Sequence, residues 1–385
     1  MKNKKMLMLS TTAAMSEQFN KNNILILEKL GYEVTVAGNF KKGNPIPDDR
    51  IRDFCVWLRE HNGKSYHIPA TRKVYDLVNN TKALLKVIKL IRHEHYAFIH
   101  CHTPIGSVIG RIAGYITKTP VIYTAHGLHF FKGSPIRNWI LYYPVEKFFS
   151  RFTDIMILIN YEDYNRVKKH FHAKKVVHIS GVGIDTEDFY SHRKNRDVMR
   201  ASFGIEDNDF LLVSVGELSS RKNHEVIIKA LHELGRKDIK YLIAGHGQGK
   251  DNAEEHLKKL IKEYNMDDVV KLLGFRDDVQ DIYAAADALA FPSKREGLGL
   301  AGIEAMASGL PIITSNINGI NEYSIHKKTG FSFAPDDVFG FAKGIAYMAK
   351  HRDWSKRVGE KNIERAKKYD YHKIDELMEN IYKSI

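Results

Sequence analysis

The sequence has few cysteines and no long hydrophobic run. Cys55 and Cys101 are its two cysteines in 385 residues, too few for a disulfide framework and without metal-site spacing, which favours a reducing compartment. No stretch approaches the roughly 18 consecutive apolar residues that span a bilayer. The apolar part of MKNKKMLMLS is shorter than that of a secretory signal. We therefore expect a cytoplasmic protein.

Acidic residues are scarce in the first half of the chain. Residues 1–190 hold 28 Lys and Arg against 16 Asp and Glu, a net charge of +12, whereas residues 191–385 hold 31 against 30. Such a domain suits an anionic substrate, nucleic acid, or the inner face of the plasma membrane, where the protein would be peripheral. Solvated lysines on an ordinary soluble domain are the alternative. Nucleic acid is not expected, because the basic residues lack aromatic interleaving.

Short apolar runs alternate with helical patterns, and this order restarts after residue 209. The alternation predicts an α/β fold of two tandem Rossmann-like, doubly wound domains facing across a cleft. The expected domains are residues 1–187 and 188–365. The charge-rich segment YSHRKNRDVMRASFGIEDND, residues 190–209, is expected to be a linker.

The stretch REGLGLAGIEAMASGLP, residues 295–311, predicts a loop at a strand end followed by a helix beginning near Gly299. The first N–H groups of such a helix bind phosphates, and glycines let a ligand approach the backbone. Glu304, one turn into the helix, is placed to accept hydrogen bonds from ribose hydroxyls. The alternative is a plain strand-to-helix turn, with Glu304 paired to a cation.

Two other strand-end loops carry candidate ligand-binding residues. Arg221 and Lys222 form a cationic pair that would stabilise a departing diphosphate, unless they are ordinary surface cations. Phe275 and Arg276 would hold a planar base, although a loop Phe more often covers the core. Asp277 and Asp278 are interpreted as a solvated turn or helix cap, so no metal site is predicted.

These motifs, with PSKREGLGLAGIEAMASGLPIITSNINGINE and the first-half segment VIYTAHGLHFFKGSPIRNWILYYPVEKFF, resemble the family 4 glycosyltransferases of the GT-B fold. Glu296 and Glu304 match the E-x7-E signature of that family, and the first-half segment is similar to enzymes of capsular and exopolysaccharide synthesis. The resemblance implies retaining, metal-independent transfer from a nucleoside diphosphate sugar, with UDP favoured and no further cofactor. It also implies a saccharide acceptor on a polyprenyl diphosphate.

The resemblance also assigns residues. It places Arg221, Lys222, Gly299 and Leu300 at the donor diphosphate, Glu304 at the ribose, Phe275 and Arg276 at the base, and Glu296, Gly297, Leu298 and His126 at the donor sugar. Catalysis is assigned to Glu296, His126, Lys222 and Arg221. One departure is Glu217, where the family commonly has Arg, and we hypothesise that Arg221 compensates. A C-terminal helix, residues 366–385, would complete the first domain.

A helical segment in the first half is the candidate membrane contact. Lys82, Lys86, Lys89 and His93 fall at spacings of three and four, and the expected apolar stripe beside them is Leu84, Leu85, Ile88 and Ile91. This pattern fits a dock on anionic lipid, or a sheet-covering helix with a solvated face. The segment STTAAMSEQF is the expected acceptor loop.

Two other functions fit the same sequence features. A nucleotide-sugar epimerase would use the same fold and nucleotide site without an acceptor. A non-catalytic partner subunit would keep the fold to bind another transferase, and Glu217 in place of Arg is compatible with that function.

Overall fold

The computed structural model describes residues 4–247 and 252–385. The chain forms two compact units. The first runs to Gly183 and is completed by His372–Ile385, and the second is Ile184–Tyr371. The divisions of the structure thus lie at 183/184 and 371/372.

The first unit is built on a parallel sheet. Its described strands are β1 (Lys4–Thr12), β2 (Tyr32–Asn39), β3 (Lys64–His67), β4 (Ile99–His102), β5 (Val121–Ala125), β6 (Ile155–Leu158) and β7 (Lys175–His178). They pair in the order β3-β2-β1-β4-β5-β6-β7. The order reverses between β1 and β4, and ligands of doubly wound sheets bind at the carboxyl ends of the strands at such a switch point.

Helices cover both faces of this sheet. They are α1 (Ala13–Phe19), α2 (Lys21–Lys29), α3 (Asp48–Glu60), α4 (Leu77–Glu94), α5 (Pro104–Thr117), α6 (Ile136–Phe149) and α7 (Tyr161–His170). Helices α4, α5 and α6 pack their inner faces against one apolar cluster on the same side of the sheet.

The segment STTAAMSEQF, the expected acceptor loop, is the end of β1 followed directly by α1. The expectation of a loop there is wrong. Pairing of β1 with β2 resumes at Thr12, opposite Asn39, after a register shift that follows Leu9.

The second unit repeats the plan. Its described strands are β8 (Phe210–Val215), β9 (Ile239–Ala244), β10 (Val270–Gly274), β11 (Ala288–Phe291), β12 (Ile312–Ser315) and β13 (Gly330–Phe333). They pair in the order β10-β9-β8-β11-β12-β13, all in parallel. The order reverses between β8 and β11. The prediction of two doubly wound α/β domains is confirmed.

The helices of the second unit alternate with its strands. They are α8 (Thr186–Ser191), α9 (Arg196–Phe203), α10 (His224–Leu234), α11 (Ala253–Glu263), α12 (Val279–Ala285), α13 (Leu300–Ala307), α14 (Val338–Lys350) and α15 (Arg352–Ala366). Local signals fix several ends. Helix α14 begins where the Asp337 side chain accepts the Gly340 N–H, and α9 ends at Gly204 with φ of 70°.

The expected linker at residues 190–209 is wrong, because most of this segment is helical. It contains the end of α8, a 3-10 turn at His192–Asn195 and all of α9. Arg200 is buried and pairs with Asp287 at 3.1 Å, while its second nitrogen donates to the Asp209 carbonyl. Arg196 and Arg200 of this segment are therefore ion-pair partners of Asp287 in the fold, whereas Lys194, Asp197, Glu206 and Asp207 are exposed.

The C-terminal segment also differs from the expected single helix at residues 366–385. Helix α15 ends at Ala366, a 3-10 turn follows at Lys367–Tyr369, and α16 spans Tyr371–Lys383. Helix α16 buries Ile374 and Met378. Its Tyr382 hydroxyl lies 2.8 Å from His100 Nδ1 in β4.

Helix α4 turns most of the expected apolar stripe inward, together with residues that were not assigned to it. Ala83, Val87, Leu90 and Ile91 are its buried residues, whereas Leu85 is exposed. Three of the four residues assigned to the apolar stripe thus pack towards the sheet, and the lysines form the outer face. Within the described ranges, no helix is both long and apolar enough to cross a membrane.

Candidate active site

The loops after β8 and β11 meet at the switch point of the second sheet. Val213 of β8 is paired with Leu289 of β11, so the carboxyl ends of these strands are neighbours. The first loop carries Arg221 and Lys222, and the second carries Glu296. A backbone hydrogen bond of 2.8 Å from the Lys294 N–H to the Arg221 carbonyl joins the two loops.

A three-residue ion cluster forms between these loops. Glu296 Oε1 lies 2.9 Å from Lys222 Nζ and 2.9 Å from an Arg221 guanidinium nitrogen. Glu296 and Lys222 are nearly buried, with 11% and 12% of their side chains exposed. Burial by itself would raise the pKa of Glu296, but the two cations outweigh it and hold that pKa below its usual value. Glu296 is therefore ionised at neutral pH.

The two cations of the cluster have additional partners. Lys222 Nζ lies 4.7 Å from the centroid of the Phe291 ring, at the end of β11. Arg221 donates to the Arg295 carbonyl at 3.1 Å. Its guanidinium also lies 3.7 Å from Glu217. Arg221 thus stands between Glu217 and Glu296, and its compensation for Glu217 at a phosphate stays a prediction.

Gly299 begins helix α13 next to the ion cluster. Its φ of 85° is in the left-handed region, and a Cβ there would lie 2.6 Å from the Phe291 ring. The Tyr323 hydroxyl donates to the Gly299 carbonyl at 2.9 Å. Gly299 has no side chain with which to cap this helix, and the leading N–H groups of a helix carry the positive end of its dipole.

Glu304 lies one turn into α13, and its partner is a hydroxyl rather than a cation. The Tyr283 hydroxyl donates to Glu304 Oε2 at 3.1 Å. Within the described chain, Glu304 forms no ion pair. Burial raises its pKa to about 7, although the Tyr283 hydrogen bond and the charge of Lys222 oppose this. A carboxyl in this state is poised to take further hydrogen bonds.

The other residues predicted to bind the donor in this loop differ in which of their atoms a ligand could contact. Leu298 is buried, so it can reach a ligand only through its backbone. Gly297 is closely approached by residue 319, because a Cβ on Gly319 would lie 2.1 Å from the Gly297 carbonyl oxygen. Leu300 is the first residue of α13 and is part-exposed.

Phe275 and Arg276 lie on the loop after β10, at the edge of the sheet. Phe275 is 57% exposed, and Arg276 Nε donates to Asp278 Oδ1 at 2.7 Å. Asp277 is exposed and Asp278 stands at the N-cap position of α12, as predicted, although the part-exposed Asp278 carboxylate pairs with Arg276 and not with the first turn of the helix. Within the described residues, no hydrogen bond or ring contact joins either predicted base-binding residue to Glu296 or Glu304.

His126 belongs to the first unit and follows β5. Its Nε2 lies 3.1 Å from Nδ1 of His102, the last residue of β4. Burial lowers the pKa of His126 to about 4, and burial also holds that of His102 well below its usual value. Both rings are therefore neutral near pH 7, so His126 can act as a hydrogen-bonding group but not as a cation.

Comparisons with known proteins match both units to glycosyltransferases. Residues 25–188 match the family described as Glycosyltransferase Family 4, and residues 195–365 match Glycosyl transferases group 1. The putative glycosyltransferase EpsD of Bacillus subtilis (strain 168) is 31% identical over 98% of this chain and 96% of its own length.

This chain belongs to the family 4 glycosyltransferases. A second relative of the glycosyltransferase is the UDP-Gal:alpha-D-GlcNAc-diphosphoundecaprenol alpha-1,3-galactosyltransferase of Escherichia coli. It is 27% identical over 73% of this chain and 74% of its own length. The capsular polysaccharide biosynthesis glycosyltransferase CapM of Staphylococcus aureus is 24% identical over 84% of this chain and 86% of its own.

Solved structures show the fold of the glycosyltransferase. Anabaena HepE in complex with UDP and glucose superposes with a TM-score of 0.80 at 20% identity, covering 99% of this chain and 100% of HepE. WaaG, a glycosyltransferase of lipopolysaccharide biosynthesis, superposes with a TM-score of 0.72 at 16% identity, covering 98% and 99%. The predicted GT-B fold is confirmed.

The structure of the glycosyltransferase adds residues that the sequence analysis missed. Tyr283 and Tyr323 have no distinguishing signal, because buried aromatics are usually core. His102 does have a signal in the sequence, since it ends a strand in AFIHCH as His126 follows one in TAHG.

Asn318 comes shortly after β12 and precedes Gly319, where a Cβ would lie 2.1 Å from the Gly297 carbonyl oxygen. Its side chain is 6% exposed, and in the described chain neither its oxygen nor its nitrogen has a hydrogen-bond partner.

Proposed function

We propose that this glycosyltransferase moves a sugar from a UDP-sugar to a saccharide carried on a polyprenyl diphosphate, with retention at the anomeric carbon, in cell-surface polysaccharide synthesis. The observation that carries the proposal is the ion cluster at the leading end of α13, with Glu304 one turn into the same helix. The acceptor class and the UDP donor follow the E. coli relative, and the pathway follows CapM.

The cations of the cluster and the helix N-terminus together favour a diphosphate. Arg221 and Lys222 face Glu296, and Glu217 lies 3.7 Å from Arg221, so these four side chains are neutral in sum, while the helix N-terminus adds roughly half a positive charge. A diphosphate would bind Arg221, Lys222 and the N–H groups of Gly299 and Leu300, and would share the two cations with the two carboxylates. The ribose hydroxyls then donate to Glu304, and the base stacks on Phe275 or on the guanidinium of Arg276.

The donor sugar is assigned to the loop that begins with Glu296. Glu296 and the backbone of Gly297 and Leu298 accept and donate hydrogen bonds to its hydroxyls, and the unpartnered Asn318 amide supplies more. His126 contributes a neutral imidazole, as the resemblance implies. These assignments give Asn318 the partner that it lacks within the protein.

We favour same-face attack over a covalent intermediate. Glu296 is a poor nucleophile, because two cations hold its charge and lower its pKa. The anomeric C–O bond to the diphosphate breaks, the acceptor oxygen bonds to the same face, and the leaving diphosphate takes the acceptor's proton. Arg221, Lys222 and the helix N-terminus stabilise the leaving group. A trapped glycosyl adduct on Glu296 would overturn this mechanism.

The proposal includes no cofactor and no metal beyond the UDP-sugar. Turnover is then expected to be unchanged after exhaustive treatment with a chelator. Loss of turnover that added Mg²⁺ or Mn²⁺ restores would contradict metal independence. Retention is tested by the anomeric coupling constant of the product in NMR.

A panel of UDP-, GDP- and dTDP-sugars tests the function itself. We expect one UDP-sugar to raise the melting temperature of the wild type, with little effect on Lys222→Ala. Lys229→Ala is the matched control, because Lys229 also pairs with a glutamate, at 2.5 Å from Glu225, away from the loops. Conversion of the donor without acceptor would indicate an epimerase. Binding without turnover on any lipid-linked acceptor would indicate a non-catalytic subunit.

A further inference from the structure

Helix α6 carries an unusual outward face. Ile136, Ile140, Pro144 and Phe148 recur every four residues, and Leu141 and Val145 lie beside them, so all six share one side of the helix. Ile136, Ile140, Leu141 and Phe148 are between 50% and 75% exposed. The opposite side, with Trp139, Tyr142 and Tyr143, already packs against the core. The exposed residues are therefore not needed to hold the helix on the sheet.

Cations accompany these apolar residues, and acids do not. Arg137 lies within the apolar face, Lys147 is seven residues from Ile140, and the Arg151 guanidinium lies 5.8 Å from the Phe148 ring. Among the described residues none of these three forms an ion pair. From residue 104 to residue 153 there are six Lys and Arg but only one acid, Glu146. Glu146 is buried against Arg111 at 2.9 Å.

The end of α5 extends the same surface. The Tyr115 ring lies 4.5 Å from Phe152, which in turn lies 5.7 Å from Phe148. Tyr115 and the adjacent Ile116 are exposed. Aliphatic and aromatic side chains interleaved with cations are typical of protein faces that lie in the headgroup region of a bilayer. We call these residues of α5, of α6 and of the 3-10 turn Ser150–Phe152 that follows it the α6 surface, namely Tyr115, Ile116, Ile136, Arg137, Ile140, Leu141, Pro144, Val145, Lys147, Phe148, Arg151 and Phe152.

We infer that the α6 surface docks on an anionic lipid bilayer. The inference rests on the proposed lipid-linked acceptor, because that acceptor brings the enzyme to a membrane. Charge favours the bilayer over a second copy of the chain as the partner. If two copies met through this surface, the three cations of one copy would face the three cations of the other, and neither surface has an acidic residue to neutralise them. An anionic leaflet complements both features: its phosphates take the cations, and its acyl region takes the apolar side chains.

The expected dock on α4 becomes a secondary contribution. The outer faces of α4 and α6 point away from the same side of the sheet, because both helices pack on one apolar cluster. The lysines of α4 add to the positive field there, whereas α6 supplies most of the side chains that insert. Apolar substitutions on α6 should therefore weaken binding even where charge is unchanged.

Flotation with vesicles tests the inference on the full chain. Wild-type protein should bind phosphatidylcholine vesicles containing about a third phosphatidylglycerol, and bind them less as salt rises. Ile140→Ser/Leu141→Ser should weaken this binding about tenfold or more. Arg137→Gln/Arg151→Gln should weaken it about fivefold for each cation removed. The matched control is Val198→Ser/Phe339→Ser, which removes two equally exposed apolar residues from the second unit.

Two readouts keep the outcomes separate. Each variant is first checked for an unchanged melting temperature and for its UDP-sugar shift, since none of these residues is assigned to the donor site. The inference is overturned if the α6 variants and the control lose vesicle binding equally, or if the wild type does not bind vesicles. Neither result would affect the proposed donor site. Loss of a dimer on Ile140→Ser/Leu141→Ser, seen by sedimentation, would instead identify the α6 surface as a contact between copies and overturn the inference.

Discussion

Glu304 has a pKa in the range where enzymes work. Burial favours its neutral form, and ribose hydroxyls that donate to it would favour the charged form. Affinity for the donor is therefore expected to rise with pH up to about 7 and then to level off. Calorimetry with a UDP-sugar measures this, because a diphosphate esterified at both ends does not titrate there.

Glu304→Gln should remove this pH dependence and weaken binding about tenfold to a hundredfold. Stability gives an independent check. Because the folded pKa is raised from 4.5 to about 7, the wild type should lose stability relative to the variant as pH rises through that window. A wild-type affinity that is flat between pH 6 and pH 8 would contradict the assigned role.

We expect Asn318 to contribute to donor binding while lowering the stability of the fold. Its amide is buried without a partner, so Asn318→Ala should leave the melting temperature unchanged or raise it, and should lower kcat/KM for the donor. Asn362→Ala is the control, because that buried amide donates at 2.9 Å to both Leu310 and Thr329 carbonyls. It should cost about 1 to 3 kcal/mol of stability. A similar loss in Asn318→Ala would show that Asn318 is structural.

The cations of the cluster should contribute to both donor binding and turnover. Lys222→Ala removes one stabilising charge from the leaving diphosphate and should lower kcat by about a hundredfold to a thousandfold. Arg221→Ala should weaken donor binding and turnover if it replaces the cation that Glu217 displaces. Steady-state kinetics measures both variants beside Lys229→Ala. Unchanged kinetics in Arg221→Ala would refute the compensation by Arg221.

At the scale of elements, α13 depends on the glycine that begins it. Gly299→Ala puts a Cβ 2.6 Å from the Phe291 ring at a φ of 85°, so it should destabilise the protein by about 1 to 3 kcal/mol and displace the helix N-terminus. Gly235→Ala is the matched control, since its φ is also positive, at 60°, and its Cβ would meet nothing within 4 Å. Thermal unfolding and donor affinity are measured together. Gly299→Ala with wild-type affinity would contradict a phosphate site at this helix.

The order of helices and strands could be predicted from the sequence, but for some of them the residues they pack against could not. The alternation of apolar runs and helices is enough to indicate two doubly wound domains. Residues 190–209 look like a linker because the partner of Arg200 is Asp287, far along the chain. Helix α6 is apolar on nearly every side, so periodicity does not show which half faces the core. Only the packing of Trp139 and Tyr143 does.

At the scale of the whole molecule, strand order determines which candidate residues meet. The sequence places Lys222 and Glu296 at two strand ends, but their 2.9 Å contact requires β8 and β11 to be neighbours. The sequence of neither loop indicates that β8 and β11 lie side by side in the sheet. The same limit applies to His102 and His126, which meet because β4 and β5 are adjacent. Residue types could thus be predicted locally, and their pairings only from the topology.

The uneven charge of the molecule is also a property of this scale. The first half carries a net charge of +12 and the second +1, and the unpaired cations of the α6 surface belong to the first. Binding to anionic vesicles should therefore be lost at high salt while donor binding to the second unit persists. Parallel titrations in low and high salt measure this, and an equal salt dependence of the two would contradict the separation.

The most direct test is a crystal structure with the UDP-sugar that gives the largest thermal shift. The account predicts the diphosphate on Arg221, Lys222 and the leading N–H groups of α13, with the ribose hydroxyls on Glu304. A nucleotide bound elsewhere, with Glu304 still held only by the Tyr283 hydroxyl, would contradict it.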